Sequence, residues 1–286
     1  DTAAELRVDG DLAGRLRVGD RGLDLRAVTA VYVRPHDWTR LPTLAAAGPD
    51  SPAWEHAAQV DDLLQTWVEL TPALVVNRPS AMASNNSKPY QAAAIGALGF
   101  ATPETLITTD PAAAAAFWAA HGAVIYKSIS GVRSIVSRLG PVHRDRLADL
   151  AWCPTQFQEY VAGDVFRVHV VGGEIFASRI TSAADDYRYA GRQGAAVAIA
   201  PCELPRDCAE RCARLAAALR LHVAGIDLRR TPAGRWYCFE VNPSPGFTYY
   251  QDATGQPIDD AIARFLAGAR SGGGSDRHGI PGCRSA

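Results

Sequence analysis

The chain has 286 residues, of which 48% are hydrophobic and 21% are charged, and its net charge is −1. This length can bury one large core or several small ones. The nearly neutral charge gives no electrostatic reason to expect nucleic acid or an anionic membrane as a partner, and no apolar run approaches the roughly 18 residues of a membrane span.

The termini and the cysteines indicate the setting of the protein. The chain shows no signal peptide and begins at Asp1 rather than Met, so we expect an incomplete amino-terminal lobe. Its six cysteines include no CxxC pair, which favours reduced thiols and a cytoplasmic protein over a disulfide framework. Cys208 and Cys212 lie four apart on a predicted helix, but no His or Cys at ligand spacing accompanies them, which argues against a metal site.

The amino-terminal part contains predicted strands and one amphipathic helix. Leu6–Val8 and Leu16–Val18 flank a turn rich in Gly and Asp, and Val28–Val33 is a third, β-branched strand. Residues 53–70 have helical apolar spacing, and Leu74–Val76 is predicted to be a short buried strand.

The rest of the chain alternates helices and strands, which indicates an α+β protein made of α/β lobes. The predicted helices are Ser87–Leu98, Pro111–Gly122, Asp207–Leu219 and Pro257–Ala267. The predicted strands are Ala123–Tyr126, Val132–Ser137, Gln156–Val161, Arg167–Val171 and Glu174–Ile180, followed by a hairpin over 223–242. We divide the chain into an amino-terminal lobe (1–80), a domain over 81–270 with lobes at 81–160 and 161–270, and a disordered tail (271–286).

The last hairpin carries a group of oxygen-bearing side chains. If Ala233 and Gly234 are the central residues of its turn, Asp227 lies opposite Glu240, and Asn242 shares their sheet face. Two adjacent carboxylates repel each other unless a cation joins them, and hard oxygen ligands suit Mg²⁺, with Mn²⁺ as an alternative. The alternative interpretation is a solvated hairpin face, which we disfavour because Phe239, Val241 and Ile226 are expected to bury the other face.

Two lysines stand out because the remaining basic residues, among 29 in total, are arginines. Lys127 ends an apolar strand and precedes the small-residue turn Ser128–Gly131, which could lie over phosphates. Lys88 stands at a helix start. A compact ammonium group differs from a guanidinium at a crowded phosphate, so both are candidates for phosphate contact. The alternative for each is an ordinary surface lysine.

Other candidates are weaker when taken alone. The strand Gln158–Val161 can offer backbone groups to an adenine edge, although an ordinary core strand is the simpler interpretation. Arg167, Arg179 and Arg188 are candidate anion clamps, although a surface arginine is the simpler interpretation for each taken alone.

In their order along the chain, these motifs resemble the ATP-grasp superfamily, specifically its RimK-like branch. The resemblance covers about Asn77 to Leu266 and is carried by Lys88, the Tyr126-Lys127 strand end, Gln158–Val161, Arg167, Asp227 and Glu240-Val241-Asn242-Pro243. The segments Val31–Pro35, Asn77–Pro79, Lys88–Gln91 and Thr105–Thr108 are also similar to graspetide synthetases, ATP-grasp ligases that join peptide side chains as esters or amides.

The resemblance implies an ATP-grasp fold with a short pre-grasp lobe and an ATP- and Mg²⁺-dependent carboxylate ligase. It implies that Lys88 and Lys127 contact the ATP phosphates and that Arg179 lies near the transferred phosphoryl group or the substrate carboxylate. It further implies an ATP site and a metal site: Gln158, Glu159, Tyr160, Val161, Asp164 and Arg167 bind the nucleotide, with Glu159–Val161 holding adenine, and Asp227, Glu240 and Asn242 bind Mg²⁺.

The sequence departs from the family pattern at two places. The acidic residue expected two positions before Arg167 is replaced by Val165, and Asp164 lies three positions before, so on a regular strand it faces the other way. A ribose contact by Asp164 would therefore require a bulge in this strand. The amino-terminal lobe is short, so its substrate recognition cannot be carried over.

The first choice of function is a ligase that modifies a peptide through an acyl phosphate attacked by an amine or hydroxyl. The runner-up is a RimK-like ligase that adds amino acids to a small molecule or a protein tail. A nucleotide-binding module without catalysis is the rival from another class. A homodimer is left open.

Overall fold

The structure is a computed structural model that describes residues 2–8, 12–34, 36–129, 136–182, 187 and 196–269. Its strands are β1 (Thr2–Val8), β2 (Leu12–Val18), β3 (Arg21–Asp24), β4 (Ala30–Tyr32), β5 (Leu74–Val76), β6 (Thr105–Thr108), β7 (Val124–Ser128), β8 (Ser137–Arg138), β9 (Thr155–Glu159), β10 (Asp164–Val171), β11 (Glu174–Ser182), β12 (Val197–Cys202), β13 (Val223–Arg230) and β14 (Trp236–Asn242).

The α-helices are α1 (Pro42–Ala47), α2 (Pro52–Leu70), α3 (Pro79–Met82), α4 (Lys88–Ala97), α5 (Pro111–His121), α6 (Arg206–Ala218), α7 (Thr248–Thr254) and α8 (Ile258–Gly268). Short 3₁₀ helices occupy Leu25–Ala27, Trp38–Arg40, Ala83–Asn86, Pro141–His143 and Leu147–Trp152. Within the described residues, no helix combines the length and apolar character that crossing a bilayer requires.

By its internal contacts the chain divides into two units. The first contains residues up to Met82 and those from Asp260 onward, and the second contains Ala83–Asp259. The domain boundaries drawn from the sequence stay predictions.

The first unit has an antiparallel sheet, β1-β2-β3, and a parallel pair, β4-β5. Helix α2 begins at Pro52, whose missing N–H costs nothing in the first turn, and the Ser51 side chain caps it by accepting from the Trp54 N–H. Trp67 and Val68 on α2 pack with Leu25 and Val75 to form the core of this unit. The predicted helix and the predicted strand at 74–76 are therefore confirmed.

The second unit contains a four-stranded sheet in the order β6-β9-β7-β8, whose neighbouring strands are all antiparallel. Its core includes Val124 and Phe157 from the sheet and Ala114 from α5. Helix α5 begins at Pro111, as the sequence predicted, and the Asp110 side chain caps it by accepting from the Ala112 N–H. The predicted strand over Val132–Ser137 lies largely outside the described residues.

The second unit also contains an antiparallel five-stranded sheet in the order β12-β11-β10-β13-β14. Helix α6 packs on it through residues that include Cys212 and Leu215, and Val168 and Ile226 of the sheet are buried. The sequence predicted α6 and the β13-β14 hairpin, but it did not predict β12, β3 or α7.

The described cysteines are free thiols. Cys208, Cys212 and Cys238 are fully buried, and burial raises the pKa of the Cys238 thiol well above its usual value. These three buried cysteines therefore contribute to packing as small side chains.

Candidate functional site

The predicted oxygen ligands share one face of the five-stranded sheet. Asp227 on β13 is the direct partner of Glu240 on β14, and Gly225 is the partner of Asn242. Because direct cross-strand partners point to the same face, and residues two apart on a strand do so as well, Asp227, Glu240 and Asn242 lie together. The sequence predicted this arrangement.

The register near the turn differs from the one that led to this prediction. Leu228 pairs with Cys238 rather than Phe239, and the register shifts between Asp227 and Leu228. A β-bulge at Phe239 therefore restores the Asp227–Glu240 pairing. Cys238 takes the place expected of Phe239 in the buried face, and the Phe239 ring lies 5.4 Å from the guanidinium carbon of Arg229.

Arg167 neutralises the first carboxylate. Arg167 lies on β10 and is the cross-strand partner of Asp227 on β13. Its Nη1 donates to Asp227 Oδ1 at 2.7 Å. Arg167 is buried while a third of the Asp227 side chain is exposed. Burial alone would lower the pKa of Arg167, but the adjacent Asp227 carboxylate, with Tyr250 and Tyr187, holds that pKa above its usual value.

Gly225 provides the space for this arginine. A Cβ at Gly225 would collide with the Arg167 guanidinium and would lie 2.7 Å from Cβ of Pro245. The glycine therefore permits the arginine to cross the strand beside the carboxylates, a close approach that no larger residue allows without rearrangement.

Lys88 neutralises the second carboxylate. It is the first residue of α4, and its Nζ lies 3.7 Å from Glu240 Oε2, with both side chains partly exposed. Together with Arg167, it balances the two carboxylates with two cations. The sequence predicted two carboxylates that repel each other unless a metal joins them, whereas in the structure each carboxylate already has a cationic partner.

The segment predicted to hold adenine joins the two sheets of the second unit. The Glu159 N–H donates to the Glu104 carbonyl at 3.0 Å, and the Tyr160 N–H donates to the Ala123 carbonyl at 2.9 Å. Both amides are therefore engaged. The Val161 N–H donates to no backbone carbonyl among the described residues.

Two arginines contact the tyrosine of the same segment. Arg229 donates to the Val161 carbonyl, and its guanidinium carbon lies 5.5 Å from the Tyr160 ring. Arg138 stacks on the Tyr160 ring at 3.9 Å. Such cation–π contacts hold the tyrosine in place.

Lys127 lies on β7 opposite Gln156 of β9, and Ile125 lies opposite Gln158. Lys127 and the two glutamines therefore share a sheet face. The Gln158 Nε2 donates to Thr105 Oγ1 at 3.0 Å, while the buried Oε1 atoms of Gln156 and Gln158 have no partner among the described residues. The sequence did not single out Gln156.

Ser130, Gly131 and Arg188 lie outside the described residues.

The structure brings neither Asp164 nor Arg179 to the carboxylate patch. Arg179 pairs with Phe166, the neighbour of Arg167, so its side chain points to the opposite face from Arg167. It donates to Asp164 Oδ1 at 2.8 Å, and both side chains are about half exposed. No bulge at Val165 corrects the spacing, since β10 pairs regularly with β11 and β13.

A buried polar group that the sequence did not reveal lies beside Arg167. His169, two residues along β10, donates from Nε2 to the Gly246 carbonyl at 3.3 Å, and its ring meets Tyr250 edge-on at 5.0 Å. Burial, with the positive charge of Arg167, lowers the pKa of His169 to about 3. The Tyr250 and Tyr187 hydroxyls lie 2.6 Å apart.

The donor set fits a hard divalent cation that also binds phosphate. Among the described residues, no group of three or more His, Cys, Asp or Glu side chains is placed to hold a metal. Asp227 and Glu240 supply two carboxylates and Asn242 supplies an amide, whose Oδ1 also accepts from the Ser244 N–H at 2.9 Å. Mg²⁺ is typically bound by one or two carboxylates that leave positions for substrate phosphates.

Comparison with solved structures defines the class of protein. The chain matches macrocyclase MdnC bound with precursor peptide MdnA, from Microcystis aeruginosa MRC, with a TM-score of 0.76 and 24% identity, covering 93% of this chain and 87% of MdnC. It matches a Chryseobacterium gregarium RiPP-associated ATP-grasp ligase, in complex with ADP and leader and core peptides, with a TM-score of 0.79 and 22% identity over 93% of this chain and 84% of that one. The fold is the ATP-grasp fold.

Sequence comparison then gives the family. Residues 101–266 match the RimK-like ATP-grasp domain, and the chain belongs to this family. A probable alpha-L-glutamate ligase of Alkalilimnicola ehrlichii is 38% identical over 116 residues, covering 38% of this chain and 36% of the relative. One from Xanthomonas oryzae pv. oryzae is 31% identical over 147 residues, covering 51% and 46%. The chain thus matches less than half the length of these relatives.

Proposed function

We propose that this protein is an ATP- and Mg²⁺-dependent ligase that activates a carboxylate for attack by an amine or hydroxyl. The observation that carries the proposal is the Asp227, Glu240 and Asn242 face, with Lys88 3.7 Å from Glu240. Oxygen ligands beside a lysine suit a metal–phosphate complex, since the cations and the metal together balance the phosphate charge.

Each side chain takes a role that follows from its position. Asp227, Glu240 and Asn242 would hold Mg²⁺, which when bound neutralises phosphate charge and aligns the oxygens. Lys88 would turn from Glu240 to the phosphates, and Lys127 would contact them from the four-stranded sheet. Arg167 donates a hydrogen bond to Asp227 and fixes that carboxylate in position.

The adenine base would be held by the segment between the sheets. With the Glu159 and Tyr160 amides engaged in hydrogen bonds, the Val161 N–H is the donor left for a ring nitrogen. Gln158 fixes this strand to Thr105. The proposed function assigns no phosphoryl contact to Arg179 and no ribose contact to Asp164. Both side chains lie on the sheet face opposite to that of Arg167 and the carboxylates.

The reaction would proceed in two balanced steps. An oxygen of the substrate carboxylate attacks the γ-phosphorus and ADP leaves, which gives an acyl phosphate. An amine or hydroxyl then attacks the acyl carbon, inorganic phosphate leaves, and the nucleophile loses its proton. The protein contributes positioning and charge stabilisation, as is general for phosphoryl transfer.

The proposed substrate is a peptide. This rests on the resemblance to graspetide synthetases and on structural relatives bound to peptides, which include PsnB complexed with a minimal precursor, Mg and ADP (25% identity, TM-score 0.73, covering 93% of this chain and 85% of PsnB). The second candidate is an amino-acid ligase acting on a small molecule or a protein tail, which the alpha-L-glutamate ligase relatives favour.

ADP formation tests the proposal. The protein is incubated with Mg·ATP and one of two substrate mixtures. The first contains acidic peptides with hydroxyl or amine side chains, and the second contains free glutamate with an acceptor peptide. The masses of the products are measured by mass spectrometry. Loss of one water from a single peptide supports the first candidate, and addition of a glutamyl residue supports the second. Tight Mg·ATP binding without ADP from any substrate would favour a non-catalytic nucleotide-binding module.

A further inference from the structure

Helix α4 is attached to the carboxylate-bearing strand by one glutamine. Gln91 Nε2 donates to the Val241 carbonyl at 2.7 Å, and the Val241 N–H donates to Gln91 Oε1 at 2.9 Å. Gln91 is 4% exposed. Because Val241 presents one donor and one acceptor, the pair of bonds also fixes which way the amide points.

These bonds occupy the edge of the five-stranded sheet. β14 is an edge strand, so the outward backbone groups of Val241 have no strand beside them. At the start of β14, Ala101 fills this role by bonding to Trp236 and Cys238. At its end the Gln91 side chain does so, acting as a one-residue substitute for a further strand.

The attachment point adjoins the candidate metal site. Val241 follows Glu240, and Gln91 follows Lys88 by three residues, so Lys88 and Gln91 lie on one face of α4. Fixing Gln91 to Val241 therefore places the Lys88 backbone beside Glu240. The 3.7 Å distance between Lys88 Nζ and Glu240 Oε2 agrees with this.

We propose that Gln91 is a positioning residue that holds Lys88 beside Glu240. In this position the lysine and the carboxylate can bind the same metal–phosphate group. The proposal rests on the proposed function, since it takes Lys88 as a phosphate ligand. Gln91 touches neither phosphate nor metal and acts through the placement of α4.

A double-mutant cycle tests this inference. Calorimetry measures the Mg·ATP affinity of Lys88→Met, Gln91→Leu, the double variant, and Gln59→Leu as a matched control. Gln59 is an exposed glutamine on α2 whose described side-chain bond goes to Glu55 of the same helix. A misplaced charged donor costs roughly tenfold to a hundredfold in affinity.

We expect Gln91→Leu to weaken Mg·ATP binding by about as much as Lys88→Met, and the double variant to be no weaker than Lys88→Met, because Gln91 acts through Lys88. Gln59→Leu should leave the affinity unchanged. Additive losses, or normal binding by Gln91→Leu beside weak binding by Lys88→Met, would overturn the inference but leave the proposed function standing. Normal binding by Lys88→Met would overturn the lysine assignment and the inference with it.

A second variant keeps the test valid if Gln91→Leu fails to fold. In Gln91→Glu a protonated carboxyl can still donate to the Val241 carbonyl, whereas a carboxylate repels it. Burial raises the pKa of the introduced group, so its Mg·ATP affinity relative to wild type should fall as pH rises from about 5 to about 8. An affinity ratio that stays constant over this range would also overturn the inference.

Discussion

The guanidinium of Arg167 donates to the Asp227 carboxylate at 2.7 Å, across adjacent strands of the five-stranded sheet. The pair joins a buried cation to a carboxylate that reaches the surface where the metal is proposed to bind. It therefore links the stability of the sheet to the charge of the site.

Arg167→Met should destabilise the protein by about 2–3 kcal/mol, less than the loss of a fully buried pair, because 34% of the Asp227 side chain is exposed. The measurement is urea denaturation without nucleotide. Arg206→Met is the control, since Arg206 is 93% exposed and its ion pair with Glu210 spans one helical turn. Equal stability of the two variants would show that Asp227 needs no buried partner.

Nucleotide binding should require a divalent cation, although the reason differs from the one drawn from the sequence. Because Arg167 and Lys88 already balance the charges of Asp227 and Glu240, free Mg²⁺ should bind only weakly. Mg·ATP brings phosphates to which Lys88 can bind in place of Glu240. Calorimetry should therefore detect Mg·ATP binding and only weak binding of Mg²⁺ alone. Equal affinity for ATP in EDTA and for Mg·ATP would contradict the metal assignment.

Lys127→Ala should reduce the rate of ADP formation by roughly a hundredfold to a thousandfold, as expected for removal of one preorganised charge donor. Arg138 lies on the strand beside Lys127, but it stacks on Tyr160 at 3.9 Å and is therefore not a neutral control. Arg206→Ala is the better control and should retain the wild-type rate. If both variants keep that rate, Lys127 is an ordinary strand-end lysine.

Glu240→Gln should nearly abolish ADP formation and leave the fold intact. The change removes one anionic metal ligand but keeps the size of the side chain. The lost ion pair with Lys88 is long and partly exposed, so the unfolding free energy without nucleotide should change by less than about 1 kcal/mol. A variant that forms ADP at the wild-type rate would show that Glu240 binds no catalytic metal.

The hairpin shows how far the sequence could predict the site. Local patterning brought Asp227, Glu240 and Asn242 together, because alternation along a strand and a short turn are encoded within 20 residues. Even there, the bulge at Phe239 was not predicted, and the pairing was right because the bulge offsets a turn that lies one residue away from the assumed one.

Relationships between distant segments could not be predicted in this way. The Gln91–Val241 bonds join residues 150 positions apart, and no periodicity in either segment indicates them. Arg179 was expected near the transferred phosphoryl group from the order of motifs. Its sheet face depends on the register between β10 and β11, where Phe166, not Arg167, is its partner.

The last prediction concerns pH and His169. This side chain is fully buried, and its pKa is lowered to about 3 by burial and by Arg167. In the unfolded chain a histidine titrates near 6.5. Between these two values the unfolded state binds the extra proton, so the unfolding free energy should fall as pH decreases below about 6.5, by at most about 1.4 kcal/mol per pH unit. Above that pH, His169 is neutral in both states and contributes no slope.

His169→Phe should remove this part of the acid sensitivity, because phenylalanine keeps a ring against Tyr250 and has no titratable nitrogen. The variant loses the bond to the Gly246 carbonyl, so it should be less stable near neutral pH by roughly 1–3 kcal/mol. Urea denaturation of both proteins from about pH 7.5 to about pH 5 avoids most carboxylate titration. The stability difference should shrink as pH falls through about 6.5 and continue to shrink below it. A difference that stays constant across this range would mean that His169 is protonated in the folded protein to the same extent as in the unfolded chain, and that its burial beside Arg167 does not keep it neutral.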